Sequence, residues 1–298
     1  MTHDQLTFID PAHRYPATSA PEQSQPEPGL ESEMIPTPDI GAETYRGTGR
    51  LKGRRALITG GDSGIGAAVA VAFAREGADV AINYLPSEEE DARHVAEIIE
   101  TAGRTAVLLP GDLSEPETAS RIVEEAVDRL GGLDALVNNA GRQIAVEGFA
   151  NVTDEQRHET FETNIHAMFR VTQAALPHLE PGSTIVNTTS IQAYDPSPHI
   201  MDYAATKAAI NNFSKALAQE LAPEGIRVNA VAPGPIWTVL QPAQGQPVEA
   251  LPEFGKNTPL GRAGQPTELA PAYVFLTSPE SSYVVGSTIH VNGGQTSP

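Results

Sequence analysis

Cysteine is absent from the 298 residues, which excludes a disulfide framework, a thiolate zinc site and thiol catalysis. Basic residues are scarce and form no run. Lys and Arg number 19 against 38 Asp and Glu, and the formal net charge of −19 argues against nucleic acid or an anionic membrane as a partner. No apolar run approaches transmembrane length, and the first residues lack the hydrophobic segment of a signal peptide. The eight histidines fall in no metal pattern; His158 and His166 are too far apart for one helical turn, so no metal is expected. A cytoplasmic protein is the plain expectation. With 40% apolar residues the chain can bury the core of one α/β domain.

What is present is organised around residues 55–66. Ala56, Leu57 and Ile58 form a short apolar run, as expected of a strand buried on both faces of a parallel sheet. Glycines follow at Gly60, Gly61, Gly64 and Gly66, and Ile65, Val69 and Phe73 then recur at helical spacing. Strand, glycine turn and helix together set unpaired backbone N–H groups and the positive helix end against a pyrophosphate. Nucleotide binding is therefore expected here.

Residues 1–50 differ from the rest. Pro16, Pro21, Pro26, Pro28, Pro36 and Pro38 are interleaved with Glu, Ser and Gln, a composition that cannot form a core of its own. Two readings stay open: a disordered tail, or an arm docked through Phe8, Met34, Ile35 and Tyr45. From residue 51 to 298 strands and helices alternate, which predicts one doubly wound parallel sheet of Rossmann type with its ligand at the carboxyl ends of the strands. Strands are expected at 79–83, 105–109, 134–138, 183–187, 227–231 and 287–291. Ser87 with Glu90, and Ser114 with Glu117, read as capping boxes that open helices. Thr153 reads as the cap of a helix whose Phe161, Ile165 and Phe169 fall at four-residue steps. A long helix carries Tyr203, Lys207, Ile210, Phe213 and Leu217, and Pro266 opens the final one.

Tyr203 and Lys207 stand four residues apart, on one face of that long helix. A cation beside a phenol favours phenolate, so Lys207 is expected to lower the Tyr203 pKa and make it a general acid/base. Ser190 falls just after the fifth strand, at the edge where a ligand binds. Together these residues resemble the active site of the short-chain dehydrogenase/reductase family, and the resemblance spans nearly all of residues 51–298. Residues 59–66, with Gly60, Asp62, Ser63, Gly64, Ile65 and Gly66, match its cofactor turn. Asp112, followed by Leu113, matches the acid that contacts adenine, and Asn138, Asn139, Ala140 and Gly141 match the motif that supports sheet and cofactor. Asn164, Ser190, Tyr203 and Lys207 match the catalytic tetrad. The resemblance implies that Ser190 hydrogen-bonds the substrate oxygen and Tyr203 exchanges the proton. It implies that Lys207 lowers the tyrosine pKa and holds the nicotinamide ribose, and that Asn164 anchors a water. Pro233, Gly234, Ile236 and Thr238 match the segment that holds the carboxamide. A bacterial branch with an extended N-terminus, variously described as general-stress, glucose/ribitol-dehydrogenase-like or aldehyde-reductase proteins, is similar in the arm, the turn and residues 82–86.

The cofactor choice is finely balanced. Asn83 ends the second strand where an acid would exclude a 2′-phosphate, and Ser63 stands where a base would bind one. Asn83 and Tyr84 can donate to a phosphate, so NADP is weakly favoured over NAD. Residues 237–254 read as a flexible lid, and Gln192 and Trp237, with Ser190 and Tyr203, are candidate substrate contacts. A small aldehyde, ketone, secondary alcohol or polyol fits a site without a basic cluster. A 3-oxoacyl-thioester reductase and a non-catalytic nucleotide-binding sensor or stress protein are the alternatives. The family resemblance implies a homotetramer, with a dimer as the other possibility.

Overall fold

The computed structural model describes residues 3–17 and 20–296. Residues 1, 2, 18, 19, 297 and 298 of the arm and domain limits read from the sequence lie outside it. Seven strands are found: β1 (Arg55–Thr59), β2 (Asp79–Tyr84), β3 (Ala106–Pro110), β4 (Ala135–Asn138), β5 (Thr184–Thr188), β6 (Arg227–Pro233) and β7 (Thr288–Val291). They form one sheet in the order β3-β2-β1-β4-β5-β6-β7, parallel throughout. The doubly wound expectation holds, with strand limits shifted by a residue or two.

Successive side chains of a strand point to opposite faces, and here they feed two separate cores. Ile58, Val80, Ile82 and Val137 pack beneath α1 (Gly64–Arg75), α2 (Glu89–Thr101) and α7 (Pro266–Thr277). Leu57, Ala81, Leu136 and Ile185 pack beneath α3 (Pro116–Leu130), α5 (Ala167–Ala175) and α6 (Met201–Leu221). Both faces are covered, so the central strands are apolar without alternation. The strand order reverses between β1 and β4, and a crevice opens at the carboxyl edge there.

Several local expectations are corrected. Glu88, not Glu90, reaches back to a backbone N–H, that of Leu85 at 3.0 Å, through a short 3-10 turn (Pro86–Glu88) that precedes α2. Ser114 caps nothing: Pro116 starts α3, and the Ser114 N–H donates to Asp112 Oδ1 at 2.8 Å. Thr153 does cap α4 (Asp154–Phe161), accepting from Gln156 N at 3.1 Å. The helix expected to run unbroken through Phe161, Ile165 and Phe169 is interrupted by a π-turn, Glu162–His166, between α4 and α5. Such insertions are common at functional sites.

The arm docks. Met34 and Ala20 pack with Trp237, Val239, Leu251 and Ala263, and Ile40 and Tyr45 join the core under α1 and α7. Phe8 and Ile35 remain exposed, so only two of the four candidate anchors serve. At the C-terminal end of α1 the fully buried Glu76 gathers the arm. Its carboxylate accepts from Tyr45 Oη (2.9 Å), Thr48 N (2.8 Å), Arg50 N (3.0 Å) and Arg50 Nη2 (2.7 Å).

Candidate active site

The crevice at the carboxyl edge opens into a cavity of about 1370 Å³. Its wall includes the predicted Gly60, Asp62, Ser63, Gly64, Ile65, Asn83, Tyr84, Asp112, Leu113, Asn139, Ala140, Gly141, Ser190, Gln192, Tyr203, Lys207, Pro233, Gly234, Ile236 and Thr238. Residues between Gly60 and Thr238 thus meet in one place because most lie at or just after a strand end, with Tyr203 and Lys207 brought in by α6. Three others do not line it. Gly66 lies behind the turn, where a Cβ would strike the Gly60 carbonyl oxygen at 1.8 Å; it sets how closely α1 packs on the turn. Asn164 and Trp237 are treated below.

A nicotinamide dinucleotide fits the turn on the evidence of the residues themselves. Gly60 and Gly64 adopt φ of +59° and +51°, a region that favours glycine, and no Cβ obstructs the approach. Asn139 fastens the turn from the next strand, its Nδ2 donating to the Gly60 carbonyl at 3.0 Å and its N–H to Thr59 Oγ1 at 3.0 Å. Asn138 turns the other way and ties β4 to β5 through Asn187 Oδ1 at 2.8 Å. Gly60, Ser63 and Ile65 are the residues that would hold the pyrophosphate, at the N-terminal end of α1, where the Gly64 N–H is already taken by Glu31.

At the far end of the cavity Ser190 leaves β5, and Tyr203 and Lys207 project from α6. Lys207 Nζ donates to the Thr188 carbonyl at 2.9 Å and lies 5.3 Å from the Tyr203 ring centroid. The expected lowering of the Tyr203 pKa is corrected: burial pushes the phenol up to about 12, with the Ser190 hydroxyl pulling the other way. Burial also brings Lys207 down to about 8. Desolvation penalises both charged forms and here outweighs their attraction. At neutral pH the phenol keeps its proton and the ammonium keeps its charge.

Asn164 sits on the π-turn with its side chain fully engaged. Nδ2 donates to the Arg142 carbonyl (2.9 Å) and Thr206 Oγ1 (3.0 Å), and Oδ1 accepts from Arg142 N (2.7 Å). Both amide hydrogens are taken, so the side chain ties the segment after β4 to α6. A Cβ on Gly141 would lie 3.5 Å from both Asn164 Oδ1 and Lys207 Nζ, an ordinary contact distance, so space alone does not demand a glycine at that point.

Trp237 is corrected more sharply. It is 0% exposed, and its Nε1 donates to the Pro36 carbonyl at 2.7 Å, so it anchors the arm and touches no part of the cavity. Asn83 cannot receive a phosphate: its Nδ2 donates to the Leu109 (3.1 Å) and Gly111 (2.9 Å) carbonyls. The Tyr84 hydroxyl donates to Glu89. Of the expected lid, residues between Thr238 and Phe254 line the cavity, but the segment is stitched down, through Gln143 Nε2 to the Gly245 carbonyl (2.6 Å) and Gln25 N to the Pro242 carbonyl (3.0 Å).

The arm itself reaches the cavity, which the sequence reading missed. Glu27 and Pro28 line it, and Arg142 is paired with both Glu27 (2.8 Å) and Glu159 (2.9 Å). Deeper in, Glu31 Oε2 accepts from the Gly64 N–H at 2.6 Å. No local spacing signals these contacts, because each partner is set by the path of the arm.

Fold and site together define a nucleotide-binding oxidoreductase of Rossmann type. Residues 60–296 match the family model described as enoyl-(acyl carrier protein) reductase. The chain is 57% identical to uncharacterized oxidoreductase YghA of Escherichia coli, over 96% of this chain and 97% of that protein. It is 42% identical to NADPH-dependent aldehyde reductase 1, chloroplastic, of Arabidopsis thaliana, over 93% and 98%. A short-chain dehydrogenase from Burkholderia cenocepacia, solved in complex with NADP, superposes with a TM-score of 0.76 at 37% identity, covering 82% of this chain and 98% of that one. The chain belongs to the short-chain dehydrogenase/reductase family. It is accordingly an NAD(P)-dependent oxidoreductase. Among the described residues no helix is long and apolar enough to cross a membrane.

Proposed function

We propose that the chain reduces a small aldehyde or ketone, or oxidises the matching secondary alcohol or polyol, with Tyr203 as the general acid/base. The observation that carries this reading is the meeting of Ser190, Tyr203 and Lys207 on the wall of the cavity that the glycine turn also lines. When bound, the dinucleotide supplies or accepts the hydride. Ser190 positions the substrate oxygen, and the protonated Tyr203 phenol gives its proton to that oxygen during reduction. Lys207, fixed by the Thr188 carbonyl, stabilises the phenolate left behind. Oxidation must begin from phenolate, which burial disfavours, so the oxidation rate is expected to gain as the pH rises.

Either NADP(H) or NAD(H) can serve. The NADP held by the Burkholderia structure and the name of the Arabidopsis relative support the phosphorylated form. A neutral substrate is supported by the charge of the wall, which carries Glu27, Glu159, Glu162, Glu249 and Glu253 and an Arg142 already paired twice. That wall disfavours the acyl-thioester alternative, whose anionic carrier would need a basic docking surface. A homotetramer is part of the proposal, supported by the exposed Phe169 beside Phe213 and by Tyr283 and Val285 near the edge strand β7. Light scattering on the eluting protein checks it against a dimer.

The test is titration with NADPH and NADH, then turnover of a panel of aldehydes, ketones and polyols beside Tyr203→Phe. The expected result is turnover that falls about 10²–10⁴-fold in the variant while dinucleotide affinity is kept. Binding without turnover of any carbonyl, unaltered by the substitution, overturns the catalytic reading in favour of a nucleotide-binding sensor.

A further inference from the structure

Four carboxylates meet where β1 and β2 end: Glu31 from the arm, Asp62 from the glycine turn, and Glu88 and Asp91 from the start of the α2 region. All four are buried. Asp91 accepts from the backbone N–H groups of Glu31 (2.6 Å) and Ser32 (3.2 Å), which fixes the arm against α2. Glu31 accepts from Gly64 N, and Glu88 from Leu85 N. Asp62 is 3% exposed, and its Oδ2 has no hydrogen-bond partner among the described residues. Asp62 and Glu88 line the cavity beside Ser63, Asn83 and Tyr84.

No cation answers this charge. The basic or imidazole side chains on the cavity wall are Arg142, His158, His199 and Lys207; none comes from the arm, the glycine turn or the β2–α2 connection. Arg93, on α2, is paired with Glu89 at 2.5 Å. The groups facing the cluster are therefore Ser63 on the turn, Tyr84 at the end of β2, and Glu89 and Arg93 on α2, with Tyr84 bonded to Glu89. Among the described residues no three acids are placed to hold a metal ion. A buried, unpartnered acceptor that opens on a dinucleotide cavity suits a ribose hydroxyl. In this fold the end of the second strand is where the adenosine 2′ position is read.

Resting on the dinucleotide reading above, we propose that Asp62 and Glu88, backed by Glu31 of the arm and by Asp91, form a carboxylate wall at the adenosine ribose, and that this wall grades the choice between the two dinucleotides by its own protonation. In either state its oxygens accept from the 2′-hydroxyl of NAD(H); ionised, it repels the 2′-phosphate of NADP(H). Protonated, its carboxyl groups donate to that phosphate. Burial and mutual repulsion raise the relevant groups, Asp62 to about 7 and Glu31 and Glu88 to about 8, into the range where the change takes place. The 2′-phosphate itself has lost its second proton by then, its own pKa lying near 6. Binding of NADP(H) therefore takes up protons, whereas binding of NAD(H) does not.

The experiment is equilibrium titration of the full chain with NADPH and with NADH at pH 7 and pH 9, read by nicotinamide fluorescence. The wild-type Kd for NADPH should rise about tenfold or more between the two pH values, a cost near 1.4 kcal/mol, and that for NADH should move less than about twofold. Asp62→Asn and Glu31→Gln should each tighten NADPH at pH 9 and flatten its pH dependence. An NADPH affinity that is flat with pH, or one whose pH dependence both variants retain, overturns the wall and leaves the dinucleotide reading standing. Binding of neither dinucleotide at either pH overturns that reading and the wall with it.

Discussion

At the C-terminal end of α1 a single carboxylate, Glu76, is met by the Arg50 guanidinium and a ring of donors; at the N-terminal end four carboxylates meet with no cation among them. Both ends fasten the same arm. Hydrogen bonds and charge outweigh burial at Glu76 and hold its carboxyl down at about 2, whereas burial wins at Glu31, Asp62 and Glu88. Chemically alike groups at the two ends of one helix are thus driven in opposite directions by what faces them. One end is built for permanence and the other responds to protons.

The largest effect expected from breaking this contrast is at Glu76. Glu76→Ala removes the acceptor shared by Tyr45, Thr48 and Arg50 and leaves Arg50 with only Tyr45 Oη (3.0 Å) and the exposed Glu280 (3.9 Å), and should cost about 3–5 kcal/mol in chemical unfolding. The sign of its pH dependence follows from its lowered pKa. The contribution of Glu76 is full above the unfolded value near 4.5 and is lost as the pH falls through about 2. The opposite sign applies at the other end. There the folded values are raised, so folding takes up protons, and stability is lost as the pH rises through about 7 to 8. The thermal midpoint should fall between pH 6 and pH 9, and Glu31→Gln should recover on the order of 1–2 kcal/mol at the upper limit. The smallest change is Trp237→Phe, which keeps the ring in its pocket but deletes the bond to the Pro36 carbonyl, at about 1 kcal/mol. Because Trp237 is the chain's single tryptophan, its fluorescence in the wild type should report the release of the arm at high pH.

What could be read from the sequence was local or carried by motif. Apolar runs and helical spacing located the seven strands, and residues at or just after strand ends proved to share one cavity. What could not be read depended on partners far away in the chain. Glu31 lies 33 residues from Gly64 and Trp237 lies 201 from Pro36, and nothing in the composition of the arm marks either contact. Asn83 occupies a cofactor-reading position, but whether its amide faces a ligand or β3 depends on carbonyls 26 and 28 residues away. The π-turn at Asn164 was hidden because Phe161, Ile165 and Phe169 keep a spacing that an unbroken helix would also show. Tyr203 and Lys207 were paired correctly, but the balance of attraction against desolvation depends on depth in the protein, which spacing does not record.

The guanidinium of Arg142 is neutralised in part by a residue that the core fold does not own. Glu27 arrives with the arm, while Glu159 belongs to α4. A chain shortened past Pro28 would keep its hydride chemistry but uncover half of a positive charge inside the reaction chamber. The proposed preference for neutral carbonyl compounds would then relax toward carboxylated and phosphorylated ones. The arm in this sense would act as a filter, set by subtraction: Glu27 occupies one of the few cationic groups on the chamber wall that an anion could grasp.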